Sequence, residues 1–297
     1  MKQYPPTITF FYKSWLQDLH WLEYSLRFLE CNWEGESEVV VVLDENCRGE
    51  INPGDFALDV DIHYVTPWKD GYCHAMYIKT LADTFCEGDL IALIDSDCML
   101  MEPAGPDYFL DGDNEKLPVI PYLTYEEHLK MYPHSPWKAV TEKVMQEPTH
   151  FHYMAREPIA YWRQTFARLR EHLESIHKLP YEEIVYSAAP FEHRSFLKHP
   201  LTLMDYDLLG FYAHHYEPTR YLIEHLRDLP KSVFHQYHSW TMDPTGQLLD
   251  RALQGSFSRA LRTLRRELDR ARAKEMDASE SPSTPILDSV EESRPGA

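Results

Sequence analysis

At 297 residues the chain is long enough for one large domain or two small ones, and 43% hydrophobic with 26% charged residues is ordinary for a globular protein. No apolar run reaches the roughly 18–20 residues of a membrane-spanning helix, and the opening MKQYPPTITFFYKSW has no apolar stretch with a small-residue cleavage site, so neither a span nor a secretory signal is expected. The 29 Lys and Arg against 48 Asp and Glu give a net charge of −19, which disfavours broad binding to bare phosphate backbones but leaves room for a nucleotide neutralised by a divalent metal.

The cysteines, at 31, 47, 73, 86 and 98, are odd in number and form no CxxC, which fits a reducing, cytoplasmic setting. Residues 7–12 (TITFFY) read as a buried strand, and Trp15, Leu19, Leu22, Leu26 and Leu29 then recur at helical spacing over 15–29. Residues 38–43 (EVVVVL) form a continuous apolar run, as in a parallel strand covered on both faces. Residues 61–65 predict a strand, 72–85 a helix and 89–94 (DLIALI) another buried strand. This order argues for an α/β sheet, largely parallel.

Beyond it, residues 103–121 are rich in Pro, Gly and Asp and read as a loop, and Pro133 and Pro136 forbid one continuous helix across 125–145. Helices are expected over 158–176, 180–188 and 250–276, while 201–212 (LTLMDYDLLGFY) mixes apolar and acidic residues without a clear period. Residues 277–297 have the composition of a disordered tail.

The sharpest chemical signal is IALIDSD, an apolar strand ending in Asp95 and Asp97. In an open α/β sheet, ligands bind outside the carboxyl ends of the strands. Two carboxylates there offer hard oxygen ligands to Mg²⁺ or Mn²⁺, which in turn hold a diphosphate. The plainer alternative is a pair of turn-capping acids.

The motif IALIDSDCML resembles the DxD of GT-A glycosyltransferases. TITFFYKSWLQDLHWLEYSLRFL and EVVVVLDE resemble the start of their nucleotide-binding half, and GYCHAMYIKTLADTF the helix before the DxD. HFHYMAREPIAYWRQTFARLREHLE and LTLMDYDLLGFYA are similar to segments of bacterial and phage GT-A-like proteins, with Asp205 where Glu is commoner. The likeness covers residues 7–245. It implies a GT-A-like, Rossmann-type mixed sheet flanked by helices, with a helical C-terminal extension. Residues 1–102 would be the nucleotide-sugar-binding half and 103–245 the acceptor half of one domain, followed by a basic amphipathic helix at 246–276 and the tail.

What the resemblance implies for single residues is specific. Asp95 and Asp97 would bind Mn²⁺ or Mg²⁺ and the diphosphate of a sugar donor, a UDP-sugar by expectation. Tyr12 would meet the nucleobase, Asp44 the base or ribose, and Lys79 a phosphate or sugar hydroxyl; a strand-end aromatic, a turn residue and a solvated lysine are the alternatives. GT-A enzymes often add a C-terminal histidine to the metal, a role for His235 or His238, which a helical turn would put on one side. Zinc held by His214 and His215, or by His150 and His152, lacks a supporting cysteine cluster or HExxH. An inverting transfer needs a base for the acceptor hydroxyl, and Asp205 and Asp207 would share one face of an extended segment.

The expected activity is therefore metal-dependent transfer of a sugar to a hydroxyl acceptor: a glycan or lipopolysaccharide precursor, or in a phage a modified DNA base. A nucleotidyltransferase-like enzyme or a catalytically silent binding protein on the same fold are the alternatives, and no Gly-rich phosphate loop supports the former. Residues 251–274 carry eight basic and two acidic residues, a surface for an anionic partner or membrane or simply an amphipathic packing helix.

Overall fold

The structure is a computed structural model and describes residues 6–68, 71–111, 116–133, 135–188 and 204–237. The chain divides into two compact units, Met1–Ser239 and Trp240–Ala297, and the second lies outside the described residues. So do the expected basic helix at 246–276 and the tail at 277–297.

The first unit is mixed α/β. In chain order it runs β1 (Ile8–Ser14), α1 (Leu19–Asn32), β2 (Ser37–Asp44), β3 (Val60–Val65), α2 (Gly71–Lys79), β4 (Leu90–Ile94) and β5 (Cys98–Leu100). There follow β6 (Val119–Thr124), α3 (Tyr125–Met131), α4 (Trp137–Met145), β7 (Phe151–His152), β8 (Ile159–Trp162), α5 (Arg163–His177), α6 (Tyr181–Ala188), α7 (Asp205–Tyr216), β9 (Leu222–His225) and β10 (Phe234–Gln236). Among the described residues no helix is long and apolar enough to cross a membrane.

The central sheet has the order β3-β2-β1-β4-β8, with β1 to β4 parallel and β8 antiparallel at the edge. The apolar runs explain why it forms: each strand feeds two cores by alternation. Phe11, Val40, Val42, Ile91 and Leu93 face the layer built by α2, α5 and α7. Phe10, Tyr12, Val39, Val41 and Ala92 face the opposite layer, where Leu22, Leu26 and Leu29 of α1 pack. Strand order reverses between β1 and β4, since β2 and β3 lie on one side and β4 and β8 on the other. That reversal opens a crevice at the carboxyl ends of β1 and β4, the usual place for a ligand in such sheets.

Several sequence expectations are corrected. The helix expected over 158–176 begins only at Arg163, because Ile159–Trp162 pairs antiparallel with β4. The helix of 72–85 ends at Lys79 and gives way to a 3-10 turn, Ala82–Thr84. The helix of 15–29 starts at Leu19 after a 3-10 turn, Leu16–Asp18. The loop of 103–121 gives way to β6 from Val119 onward. The break between α3 and α4 spans the two prolines. The start of α3 is a capping box, in which Thr124 accepts from the Glu127 N–H and the Glu127 side chain accepts from the Thr124 N–H.

Candidate functional site

The carboxyl end of β4 collects charged side chains from four elements. The strand runs into a turn in which the Cys98 N–H donates to the Asp95 carbonyl at 3.0 Å. Asp95 is partly exposed, whereas Ser96 and Asp97 are buried. Ser96 Oγ lies 3.1 Å from Ser14 Oγ, which ties the end of β4 to the end of β1 across the crevice. Lys79, the last residue of α2, is only 2% exposed and ion-pairs with Asp95. Its ammonium is 3.5 Å from Asp205 Oδ2 and lies over the Tyr206 ring, 5.1 Å from the centroid. The Tyr206 hydroxyl donates to the Leu93 carbonyl at 3.0 Å, locking α7 onto β4.

Glu157 enters through register. Leu93 pairs with Ile159, so two residues further on Asp95 stands opposite Glu157, and its N–H donates to Glu157 Oε2 at 3.3 Å. Nothing in the sequence alone singled out this residue; only the assignment of β8 as a strand would have found it. From the far side, Gln236 of β10 donates to Asp95 Oδ2 at 3.2 Å and the Tyr237 N–H donates to the Asp97 carbonyl at 3.0 Å.

Burial and crowding set the charges. Burial and then the neighbouring Asp95 hold the Glu157 carboxyl well above the carboxylate range, and Lys79 only partly offsets them. Asp205 is raised to about 6 by burial, with Lys79 opposing and Asp95 adding to the rise. Burial works against the Lys79 charge, but Asp205, Asp95 and Glu157 overcome it and keep the ammonium protonated. Both oxygens of Asp205, and Oε1 of Glu157, are buried without a hydrogen-bond partner.

A second polar group lies at the ends of β1 and β2. Lys13 Nζ donates to Asp44 Oδ1 at 2.7 Å and to the Ser14 carbonyl at 2.8 Å. His74, in the first part of α2, is 3.8 Å from the same carboxylate. Burial and then the Lys13 charge lower its pKa to about 4, so the imidazole is neutral. Asp44 thus stands at a strand end, as expected. Tyr12 does not: it is fully buried and its hydroxyl meets Ser25 at 3.0 Å, so it has no surface to offer a nucleobase.

Asp205 and Asp207 belong to a helix, not to an extended segment, and they part company. Asp207 Oδ2 accepts from Tyr125 at 2.6 Å and lies 3.1 Å from His152 Nδ1, while Oδ1 accepts the Tyr153 N–H at 2.7 Å. Burial opposes its charge, but His152, Tyr125 and the Tyr153 N–H outweigh it and lower the pKa. Both acids are fully buried, so neither presents a carboxylate to an acceptor.

The histidine expectation is also revised. His235 sits in strand β10, paired with Met99, and not on a helical turn, while His238 lies outside the described residues. The side chain of β10 that reaches Asp95 is Gln236. His214 meets the Tyr153 hydroxyl at 2.8 Å and His215 stacks on Phe211. Among the described residues, no three His, Cys, Asp or Glu side chains are already grouped to hold a metal ion.

The chain matches no protein-family model and no curated protein.

Proposed function

We propose that the protein is a glycosyltransferase that takes its sugar from a nucleoside-diphosphate donor, with a GT-A-like arrangement centred on Asp95 and Asp97. The observation that carries this reading is the cluster of Asp95, Asp97, Glu157, Asp205 and Lys79 at the carboxyl end of a central parallel strand, beside the reversal of strand order. Ligands of α/β sheets bind at that position.

Mn²⁺ or Mg²⁺ fits the donor set. The oxygens are hard, negative charge exceeds the single Lys79 ammonium, and both Asp205 oxygens and Glu157 Oε1 are buried without a hydrogen-bond partner. Asp95 and Asp97 are the residues that would hold the ion; one or two carboxylates suffice where substrate phosphates complete the shell. When bound it neutralises the diphosphate leaving group. Lys79 is fixed by Asp95 and Asp205 beside that position, where a preset positive charge costs no reorganisation. Asp44, held by Lys13 at the neighbouring strand end, is the residue for the base or ribose. The acceptor is a hydroxyl-bearing molecule, a glycan or lipopolysaccharide precursor. Asp205 and Asp207 support the site from inside the fold and are not assigned as its base.

The test is incubation with a panel of nucleotide sugars and Mn²⁺, read as release of nucleoside diphosphate. Release that disappears in Asp97→Ala supports the reading; release of pyrophosphate would replace it with nucleotidyl transfer, and no turnover or binding of any donor would remove it.

A further inference from the structure

We infer that Glu157 is a second carboxylate ligand, facing Asp95, for the divalent cation that accompanies the donor diphosphate. The inference rests on the glycosyltransferase reading and adds to it a residue that the DxD motif does not contain.

Three observations support it. Continued two residues past the Leu93–Ile159 pair, the β4–β8 register brings Glu157, in the segment leading into β8, up to Asp95. Glu157 Oε2 accepts the Asp95 N–H at 3.3 Å, and the carboxyl also lies against the Asp95 carboxyl, which helps to hold its proton. The other oxygen, Oε1, is buried and accepts nothing, although Glu157 is only 5% exposed. A residue placed there solely to accept the Asp95 N–H would need one acceptor, and an amide would supply it without a charge. Two facing carboxyls that crowd each other and keep a proton when empty can both ionise on a divalent cation, which displaces that proton. Buried acceptors without partners are few in native proteins and call for an explanation, an ion being one.

The experiment titrates the full chain with Mn²⁺ in the presence of UDP and reads free Mn²⁺ by electron paramagnetic resonance. Glu157→Gln keeps the volume and the acceptor for the Asp95 N–H but cannot ionise to meet the cation. The wild type is expected to retain Mn²⁺, Asp95→Asn to lose it, and Glu157→Gln to bind about tenfold more weakly or worse. Its melting temperature in metal-free buffer should match the wild type, which separates a lost ligand from a lost fold. Should that variant not fold, Glu157→Asp keeps the charge on a shorter stem, and unchanged Mn²⁺ affinity there would count against the proposal. If Asp95→Asn loses Mn²⁺ while Glu157→Gln binds as the wild type does, Glu157 is no ligand and the glycosyltransferase reading stands. If the wild type retains no Mn²⁺ with UDP, GDP or ADP, the metal site falls, and Glu157 with it.

Discussion

Asp205 and Asp207 are two residues apart in the first turn of one buried helix, yet they live in opposite surroundings. Asp207 has a donor for each oxygen: Tyr125 and His152 on one, the Tyr153 N–H on the other. Asp205 has a lysine at 3.5 Å, competing carboxylates and no hydrogen-bond partner on either oxygen. One carboxylate is stabilised by the fold and fastens α7 to the β6–β7 region. The other is strained by it, next to the crevice where β1 and β4 end. Polar groups left unsatisfied inside a protein tend to mark sites where function overrides stability.

The strongest way to break the contrast is to remove the satisfied acid. Asp207→Ala strips three partners of their acceptor and should cost about 3 kcal/mol or more, since each buried donor left bare costs about 1–3 kcal/mol, measured by urea unfolding. A loss of less than about 1 kcal/mol would show that the nest is not a fastener. Gly210→Ala probes the same region from the backbone, because a Cβ there would run into the ring of Tyr153, whose N–H serves Asp207. A destabilisation of about 1–3 kcal/mol is expected from such overpacking.

Asp205→Asn sharpens the contrast through pH. In the folded chain Asp205 holds its proton up to about 6, against an ordinary 3.8, so it favours the fold when protonated. That contribution falls as pH rises from 3.8 to about 6 and is flat above. Asp207 has the opposite sign: its lowered pKa gives stability that is present above the ordinary carboxylate range and lost on acidification below it. Asp205→Asn should therefore remove a declining limb between pH 4 and 6, while Asp207→Asn removes the acid limb below it. Parallel unfolding curves for both variants across that range would contradict the assignment. The smallest effect expected is that of Tyr206→Phe, which deletes the hydroxyl donated to the Leu93 carbonyl and should cost about 1 kcal/mol.

The two regions also differ in how far the sequence revealed them. TITFFY, EVVVVL and DLIALI are legible because strands covered on both faces are continuous apolar runs, and the position of Asp95 and Asp97 follows from the last of them. The α7 segment is not legible. Nine consecutive residues, Asp205 through Ala213, are buried, so no polar face discloses a helical period, and reading MDYD as extended put both acids on one face. REPIAYWRQTF hides a strand of four residues that passes straight into a helix, and Glu157 becomes visible only once that strand is paired. Tyr12 illustrates the limit at a strand end: β1 runs two residues further, so Lys13 and Ser14 reach the crevice and Tyr12 stays in the core.

The central claim is that the under-satisfied end of β4 is where a nucleoside diphosphate and its cation bind. The most direct test is a crystal of the full chain grown with UDP and Mn²⁺ and measured for anomalous scattering from manganese. The account predicts a peak in coordination contact with the Asp95 carboxylate, with the diphosphate beside it and the uridine toward Lys13 and Asp44. A peak at the exposed histidines His150 or His215 instead, or UDP bound away from β4 with no manganese at Asp95, would contradict it.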